Sequence, residues 1–248
     1  MAKFSVIVVA GGGGKRFGGN ENKIFAKIDN QPIFLRALQL FVNREDVGQT
    51  ILVVAPSEMD QMKAKFGANL GFMGVQLVNG GGERFESVAN GLAQVSDDAE
   101  FVAVHDAVRV CVAAEWIDAI FAAAAKSGAA CPVVPVTSTL KRVGADHLVG
   151  ATVSREGLYM AQTPQVFRKD VLKAAYSGLD QLRKSESVPI TDDAQLVTAS
   201  GYPVTAVEGD VRNIKITTRG DITLAGSILR SLPQKPVART GAFDEARW

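Results

Sequence analysis

Short, nearly continuous apolar runs alternate with amphipathic stretches along the first half of the chain. Phe4–Ala10, Thr50–Ala55, Val75–Val78, Phe101–His105 and Ala130–Val136 are rich in β-branched residues. Such runs are the pattern of strands buried on both faces of a sheet. Between them the apolar period lengthens to that of a helix. Pro32 opens one such segment at its first position, with Phe34, Leu38 and Phe41 at three- to four-residue spacing through Asn43. Ser57 is placed to cap Glu58–Phe66, Arg84–Val95 carries Val88, Leu92 and Val95, and Ala114–Lys126 ends at Gly128. Strand, helix, strand in this order predicts an α/β fold with a doubly wound, mostly parallel sheet.

The rhythm changes after Val136. Thr137–Val143 and Leu148–Val153 are extended runs around Gly144-Ala-Asp-His147, which predicts a hairpin. A lone two-stranded hairpin is marginal in water and must pack on something. Arg168–Gly178 and Asp192–Ser200 read as helices, the second with Thr191 as cap and Gly201 as stop. Val204–Val207 and Asn213–Ile216 read as late strands, and Asp221–Leu232 as a closing helix. No repeat or linker interrupts the chain. The expectation is one domain over residues 1–232, with an inserted β-hairpin arm at 137–156 and a polar, Pro-containing tail at 233–248.

A length of 248 residues suits a single α/β domain with a substantial core. Lys and Arg number 27 against 26 Asp and Glu, so no global basic field points to a nucleic acid or a membrane surface. The longest uncharged stretch, Phe66–Gly82, is interrupted by glycines and falls short of the ~20 apolar residues of a span. Phe4–Ala10 runs into Gly11–Gly14 and Lys15-Arg16 instead of the small-residue cleavage site of a signal peptide. Cys111 and Cys131 are too few for a disulfide framework or a zinc site. The simplest compartment is the cytoplasm.

The first strand leads directly into Gly11–Gly14, then Lys15-Arg16-Phe17-Gly18-Gly19. Glycine allows sharp turns and lets backbone N–H groups approach an anion. In open α/β sheets ligands gather at the carboxyl ends of the strands. The dinucleotide pattern G-x-G-x-x-G fails, because its last glycine would stand at Arg16 or Phe17. The P-loop also fails, because Lys15 is followed by Arg16 and position 9 is Val. What remains is a glycine loop loaded with cations: residues 1–30 hold Lys3, Lys15, Arg16, Lys23 and Lys27 against Glu21 and Asp29. That composition points to a phosphate site.

A second cluster, Asn79-Gly80-Gly-Gly82-Glu83-Arg84, follows the third strand, with Ser87 one turn into the next helix. The fourth strand ends in His105-Asp106-Ala107-Val108-Arg109. All three features fall on one edge of the sheet. Asp106 suits a ribose hydroxyl, a metal held by phosphates, or a turn cap, and His105 suits a structural hydrogen bond better than catalysis. No G-x-S-x-G elbow or H-E-x-x-H motif is present, and the two histidines are His105 and His147. A phosphate monoester needs no general base, because its second pKa of ~6 leaves it mostly dianionic at neutral pH. Its attack on the α-phosphorus of a nucleoside triphosphate is limited by repulsion and alignment, which cations relieve. Arg16, Lys23, Arg155 and Lys215 have that character.

Ala10–Phe17 with Lys23, Gly80–Ser87, His105–Arg109, Thr139-Leu-Lys-Arg142, Gln162-Thr-Pro-Gln165, Thr191-Asp-Asp193 and Asn213-Ile-Lys-Ile-Thr217 together carry a resemblance. In their order and spacing the chain resembles the 2-C-methyl-D-erythritol 4-phosphate cytidylyltransferases of the non-mevalonate isoprenoid pathway. The resemblance implies a Rossmann-like nucleotidyltransferase fold that transfers CMP from CTP to the sugar-alcohol phosphate, with Mg²⁺, releasing pyrophosphate. By position, Arg16 and Lys23 match transition-state stabilisers, and Arg155 and Lys215 match groups that place the incoming phosphate. Ala10, Gly11, Gly12, Gly14, Gly82, Arg84, Ser87 and Asp106 match the nucleotide side, while Asp106, Arg109, Thr139 and Thr163 match the sugar-phosphate side. The metal's ligands stay unassigned. The arm at 137–156 matches one that crosses to a partner subunit, which implies a homodimer with Arg155 in the neighbour's site.

This chain departs from the family pattern in having Asn22 before Lys23 where Pro is usual, Val110 after Arg109, and Ser138 and Ser154 where Asp is common. Two other readings stay open. One is a ribitol 5-phosphate cytidylyltransferase, against which Lys141 in Thr139-Leu-Lys-Arg142 leans; the other is a CTP-binding module of the same fold without turnover. A nicotinamide dehydrogenase is disfavoured by the failed glycine motif and by the lack of a Tyr-x-x-x-Lys pair.

Overall fold

The β-branched run Phe4–Ala10 forms the central strand β1 of an eight-stranded sheet. The structure is a computed structural model that describes residues 3–11, 17, 22–179, 181–182 and 190–233. A small β-ribbon of β2 (Lys27–Ile28) and β3 (Gln31–Pro32) leads into helix α1 (Ile33–Gln39). Strand β4 (Val47–Val54), helix α2 (Pro56–Phe72), strand β5 (Val75–Asn79), helix α3 (Arg84–Leu92) and strand β6 (Phe101–Asp106) follow in alternation. β5, β4, β1 and β6 lie side by side and parallel.

Alternate residues of β1 serve opposite faces, as a strand's period of two requires. Phe4, Val6 and Val8 join Leu38 of α1 and Met62 of α2, with Ile117 and Phe121 from helix α4 (Ala114–Ser127). Ile7 instead joins Val88 and Leu92 of α3, Leu172 of helix α5 (Lys169–Ser177) and Leu196 of helix α6 (Asp193–Ala199). Helices therefore cover both faces, and the sheet is doubly wound. Gly91 of α3 sits so close to it that an added Cβ would come within 2.8 Å of Ile7 and 3.0 Å of Val53. Helix propensity favours alanine over glycine by ~1 kcal/mol. Overpacking costs about 1–3 kcal/mol and acts the other way. Gly91→Ala is expected to lower the urea midpoint; an unchanged or raised midpoint contradicts this packing.

Beyond β6 the sheet becomes mixed. Strand β7 (Ala129–Pro135) is joined to β6 through the antiparallel strand β11 (Gln165–Arg168). Short strand β10 (Tyr159–Ala161) also runs antiparallel to β7, and β12 (Thr205–Glu208) runs parallel to it. The pairing register along β7 slips between Ala161↔Val133 and Val166↔Ala130, across Gln162–Pro164. The last helix, α7 (Gly220–Ser231), completes the described chain.

Several boundaries differ from the sequence reading. Pro32 ends β3 and precedes α1, while α2 starts at Pro56 instead of after a Ser57 cap and continues to Phe72. Asp192, not Thr191, caps α6, its carboxylate accepting from the Gln195 N–H. Asn213–Ile216 is not a strand; its backbone is tied to the body by Ile216 N–H donating to the Val108 carbonyl at 3.0 Å. β10 and β11 have no counterpart in the sequence reading. The hairpin is present as β8 (Leu140–Val143) and β9 (Val149–Val153), with His147 at φ 61° in its turn. It forms a separate two-stranded sheet. Val143, Leu148 and Val149 are exposed on it. The tail beyond Pro233 lies outside the described residues.

Candidate active site

The ends of β1, β4, β5 and β6 share one edge, because Ala10 pairs with Val54, Val54 with Asn79, and Val9 with Asp106. The buried Ser87 hydroxyl joins the loops there. It accepts from the Gly81 N–H at 3.1 Å and donates to the Glu83 carbonyl at 3.2 Å. A Cβ on Gly80 would lie 2.8 Å from that oxygen, and one on Gly11 would lie 3.1 Å from it. Glycine at these two positions is what lets the loops close on the start of α3. Glu83 and Glu86 form a capping box that secures that helix end. Ala10, Gly11, Gly82 and Ser87 therefore stand where the sequence places them. Gly12, Gly14 and Arg16 lie outside the described residues.

Asp106, at the end of β6, is the electrostatic centre of this edge. Lys215 Nζ reaches its Oδ2 at 2.8 Å, Arg109 Nε stands 3.7 Å from the same oxygen, and Arg84 Nε donates to Oδ1 at 3.3 Å. Burial opposes ionisation of this carboxyl. The charges of Arg84, Lys215 and Arg109 outweigh it and hold the group well below the usual carboxylate range. Arg109 itself is pulled below its ordinary value, because burial and the neighbouring Arg84 exceed the help it draws from Asp106. The carbonyls of Asn213, at 2.7 Å, and Ala161, at 3.5 Å, accept from its guanidinium. Burial likewise works against charge on Arg84, but Asp193 and Asp106 raise it above the arginine value.

Extending the β11–β6 register by two residues sets Thr163 opposite Asp106. Instead of a further ladder bond, the Asp106 N–H donates to Thr163 Oγ1 at 3.1 Å. Thr163 Oγ1 lies 3.1 Å from His105 Nδ1, and His105 Nε2 lies 2.8 Å from the Arg109 carbonyl. A carbonyl only accepts, so Nε2 carries the proton and Nδ1 accepts from Thr163. Burial pulls this imidazole down to about 4 despite its carbonyl partner. His105 is thus a neutral structural group at pH 7. Its folded pKa lies below the unfolded ~6.5, so the unfolded chain takes up the proton first as pH falls. Stability should be full above about pH 6.5 and decline by about 3 kcal/mol toward pH 4. Urea titrations of wild type and His105→Gln check this; an identical decline in both assigns it elsewhere.

Lys23 opens a 3-10 turn, Lys23–Phe25, whose Ile24 and Phe25 are buried in the core. Asn22 caps that turn through its side chain, which accepts from the Ile24 N–H at 3.3 Å. An asparagine cap therefore stands where the family pattern has proline. Phe17, buried on the same loop, carries Arg219 over its ring at 5.7 Å. The arm residues do not join the Asp106 cluster. Thr139 is exposed, and Arg155 bonds the Thr137 carbonyl on its own arm. Among the described residues, the structure thus gathers Arg84, Asp106, Arg109, Thr163 and Lys215 and leaves Thr139 and Arg155 apart.

The pattern of the 2-C-methyl-D-erythritol 4-phosphate cytidylyltransferases matches residues 4–231 of this chain. The chain belongs to that family. The enzyme of this name from Endomicrobium trichonymphae is 39% identical over 92% of this chain and all of its own. The one from Alkaliphilus metalliredigens is also 39% identical, over 92% of this chain and 93% of its own. The crystal structure of the Thermus thermophilus cytidylyltransferase superposes with a TM-score of 0.74 at 31% identity, covering 93% of this chain and 100% of that one.

Within this cytidylyltransferase fold, sequence reasoning misses Asp193 and Tyr176. Asp193 is buried and pairs with Arg84 Nη1 at 2.8 Å. The Tyr176 hydroxyl donates to its other oxygen at 2.6 Å. The available signal is the Thr191-Asp-Asp193 segment, where a helix cap is legible but the buried pair is not. Among the described residues no three His, Cys, Asp or Glu side chains gather as a metal cluster.

Proposed function

We propose that this chain transfers CMP from CTP to 2-C-methyl-D-erythritol 4-phosphate, releasing pyrophosphate, as a step of non-mevalonate isoprenoid precursor biosynthesis. The observation that carries the reading is the buried Asp106 carboxylate with Arg84, Arg109 and Lys215 drawn to it at the carboxyl edge of the sheet. It sets cations where two phosphates must meet, and no base is needed for a nucleophile that is already anionic. Asp106 orients the amine of Lys215, whose side chain is 40% exposed and free to trade that carboxylate for the incoming phosphate. Lys23, on a turn seated by the buried Ile24 and Phe25, takes with Arg16 the role of stabilising charge on the transferring phosphate that the family resemblance implies. Arg109 and Thr163 border the acceptor, while Gly11, Gly82 and Ser87 border the nucleotide.

Mg²⁺ would arrive on the triphosphate, held by phosphate oxygens and water, because the Asp106 carboxylate is already paired with Arg84, Arg109 and Lys215. An octahedral ion that keeps water and phosphate oxygens needs no dedicated protein cage. When bound it would offset charge on the α-phosphate and the departing pyrophosphate.

We further propose a homodimer through the 137–156 arm, in which a second copy covers Val143, Leu148 and Val149 and receives Arg155. Mixing Lys23→Ala and Arg155→Ala proteins should then restore about a quarter of wild-type activity, because half of the dimers are hybrids and each has one intact site. No recovery despite proven subunit exchange overturns the shared site. Among the described residues no helix is long and apolar enough to cross a membrane, in keeping with a cytoplasmic enzyme. The reaction is tested by pyrophosphate release with each nucleoside triphosphate, crossed with methylerythritol phosphate and ribitol phosphate. Release confined to CTP with the first acceptor supports the proposal. Release with ribitol phosphate, or CTP binding without release, overturns it.

A further inference from the structure

One buried carboxylate touches the site without a part in the chemistry above. Asp193 stands on the first turn of α6, and its seat is fixed from both sides. Asp192 beside it accepts from Gln195 N–H at 2.9 Å and from the Gln165 side chain at 2.8 Å, while Gln165 accepts from the Ala194 N–H at 2.9 Å. The segment is therefore clamped to β11. The Tyr176 hydroxyl, reaching over from α5, then fixes the carboxylate itself.

The partner of this fixed carboxylate is Arg84, and Arg84 is shared. It lies 2.8 Å from Asp193 Oδ2 through Nη1 and 3.3 Å from Asp106 Oδ1 through Nε. The closer attraction is to the carboxylate away from the reaction edge. Asp106 Oδ2 is already engaged by Lys215 at 2.8 Å. Oδ1, to which among the described residues only the longer Arg84 bond is drawn, is the oxygen with capacity left for a substrate group. Arg84, Arg109 and Lys215 bring three positive charges against the two negative charges of Asp106 and Asp193. Without Asp193, Arg84 keeps Asp106 as its one carboxylate partner among the described residues and closes on it.

We propose that Asp193, seated by Tyr176, is a positioning residue that holds Arg84 back from Asp106 and so keeps Asp106 Oδ1 open to a sugar hydroxyl of the bound substrate. The identity of that sugar rests on the reaction proposed above; the restraint on Arg84 does not. Two readouts therefore separate the failure of one from the failure of the other.

The first readout is the substrate-free crystal structure of Asp193→Asn. Arg84 is expected to move onto Asp106 in a two-pronged pair, and an unmoved Arg84 overturns the proposal whatever the substrate is. The second is calorimetric binding of CTP and of methylerythritol phosphate to the wild type and to Asp193→Asn. At least one of them is expected to weaken by about ten-fold, within the range over which contacting residues couple. On an Arg84→Gln background the same substitution should cost less than about two-fold, since Arg84 is no longer there to close. An equal cost on both backgrounds would mean that Asp193 acts through the fold and not through Arg84, and overturns the proposal. Tyr176→Phe keeps both charges and loosens the seat, so it should shift the same affinity in the same direction by about two- to three-fold. It decides the matter if Asp193→Asn does not fold: no shift then overturns the proposal.

Discussion

Asp106→Asn is expected to cost about 3 kcal/mol of unfolding free energy. It should also cost roughly 10²-fold or more in turnover. The substitution is nearly isosteric, so packing is kept while the charge and one of the two acceptor oxygens are lost. Arg84 then keeps Asp193, while Arg109 and Lys215 lose the carboxylate with which they pair among the described residues. Breaking one side of a buried ion cluster costs about 3–5 kcal/mol, because the remaining charges stay desolvated. The low end applies here, since Lys215 is partly exposed and can turn to water. Acid should reproduce the effect in the wild type. The folded carboxyl titrates below its unfolded value of ~3.9, so its contribution is complete above that pH and is lost as pH falls further. That window lies below the His105 window, so the two are separable in one urea series. A loss under about 1 kcal/mol at pH 7 would mean that the cluster is held together by something other than this carboxylate.

Lys23→Ala should lower turnover by on the order of 10²-fold or more, the usual cost of removing a group that stabilises charge developing in flight. Its stability should barely change. Ile24 and Phe25 are buried, Phe25 against Phe34 and Phe66, and Asn22 caps the turn, so the backbone holds its course without the lysine. The combination of an unmoved melting temperature with a collapsed kcat separates a role in the reaction from a role in the fold. Turnover within a few-fold of the parent would remove Lys23 from the mechanism.

How far the chain can be read in advance follows from where information is local. β1, β6 and the Thr50–Val54 part of β4 are legible because a strand buried on both faces must be largely apolar, and these runs are. β5 lies at the sheet edge with Gln76 exposed and shows only as a shorter apolar run. β10 and β11 are not legible, because three- and four-residue strands carry too few positions to show a period, and Gln165–Arg168 merges with the start of α5. Asn213–Ile216 imitates a strand, yet Asn213 and Lys215 serve the site instead: one lends its carbonyl to Arg109 and the other its amine to Asp106. The edge of the sheet predicts that Gly80–Ser87 and His105–Arg109 meet, and they do, through Arg84 and Asp106. The Arg84–Asp193–Tyr176 arrangement is invisible, since it depends on how α3, α5 and α6 pack on one another. Arg155 is a different case. The fold of one chain leaves it on its own arm, and a place in a site is part of the proposed dimer.

The claim on which the mechanism stands is that the protein contributes cations and alignment while the acceptor phosphate serves as its own, already ionised, nucleophile. The pH dependence of kcat/KM tests this directly, measured with the natural acceptor and with a phosphonate analogue of higher second pKa. The acid limb should fall near the phosphate's ~6 with the first and move upward with the second. An acid limb that stays in place when the acceptor is changed, and shifts instead when a side chain of the site is replaced, would show that the enzyme supplies a base and would contradict the account.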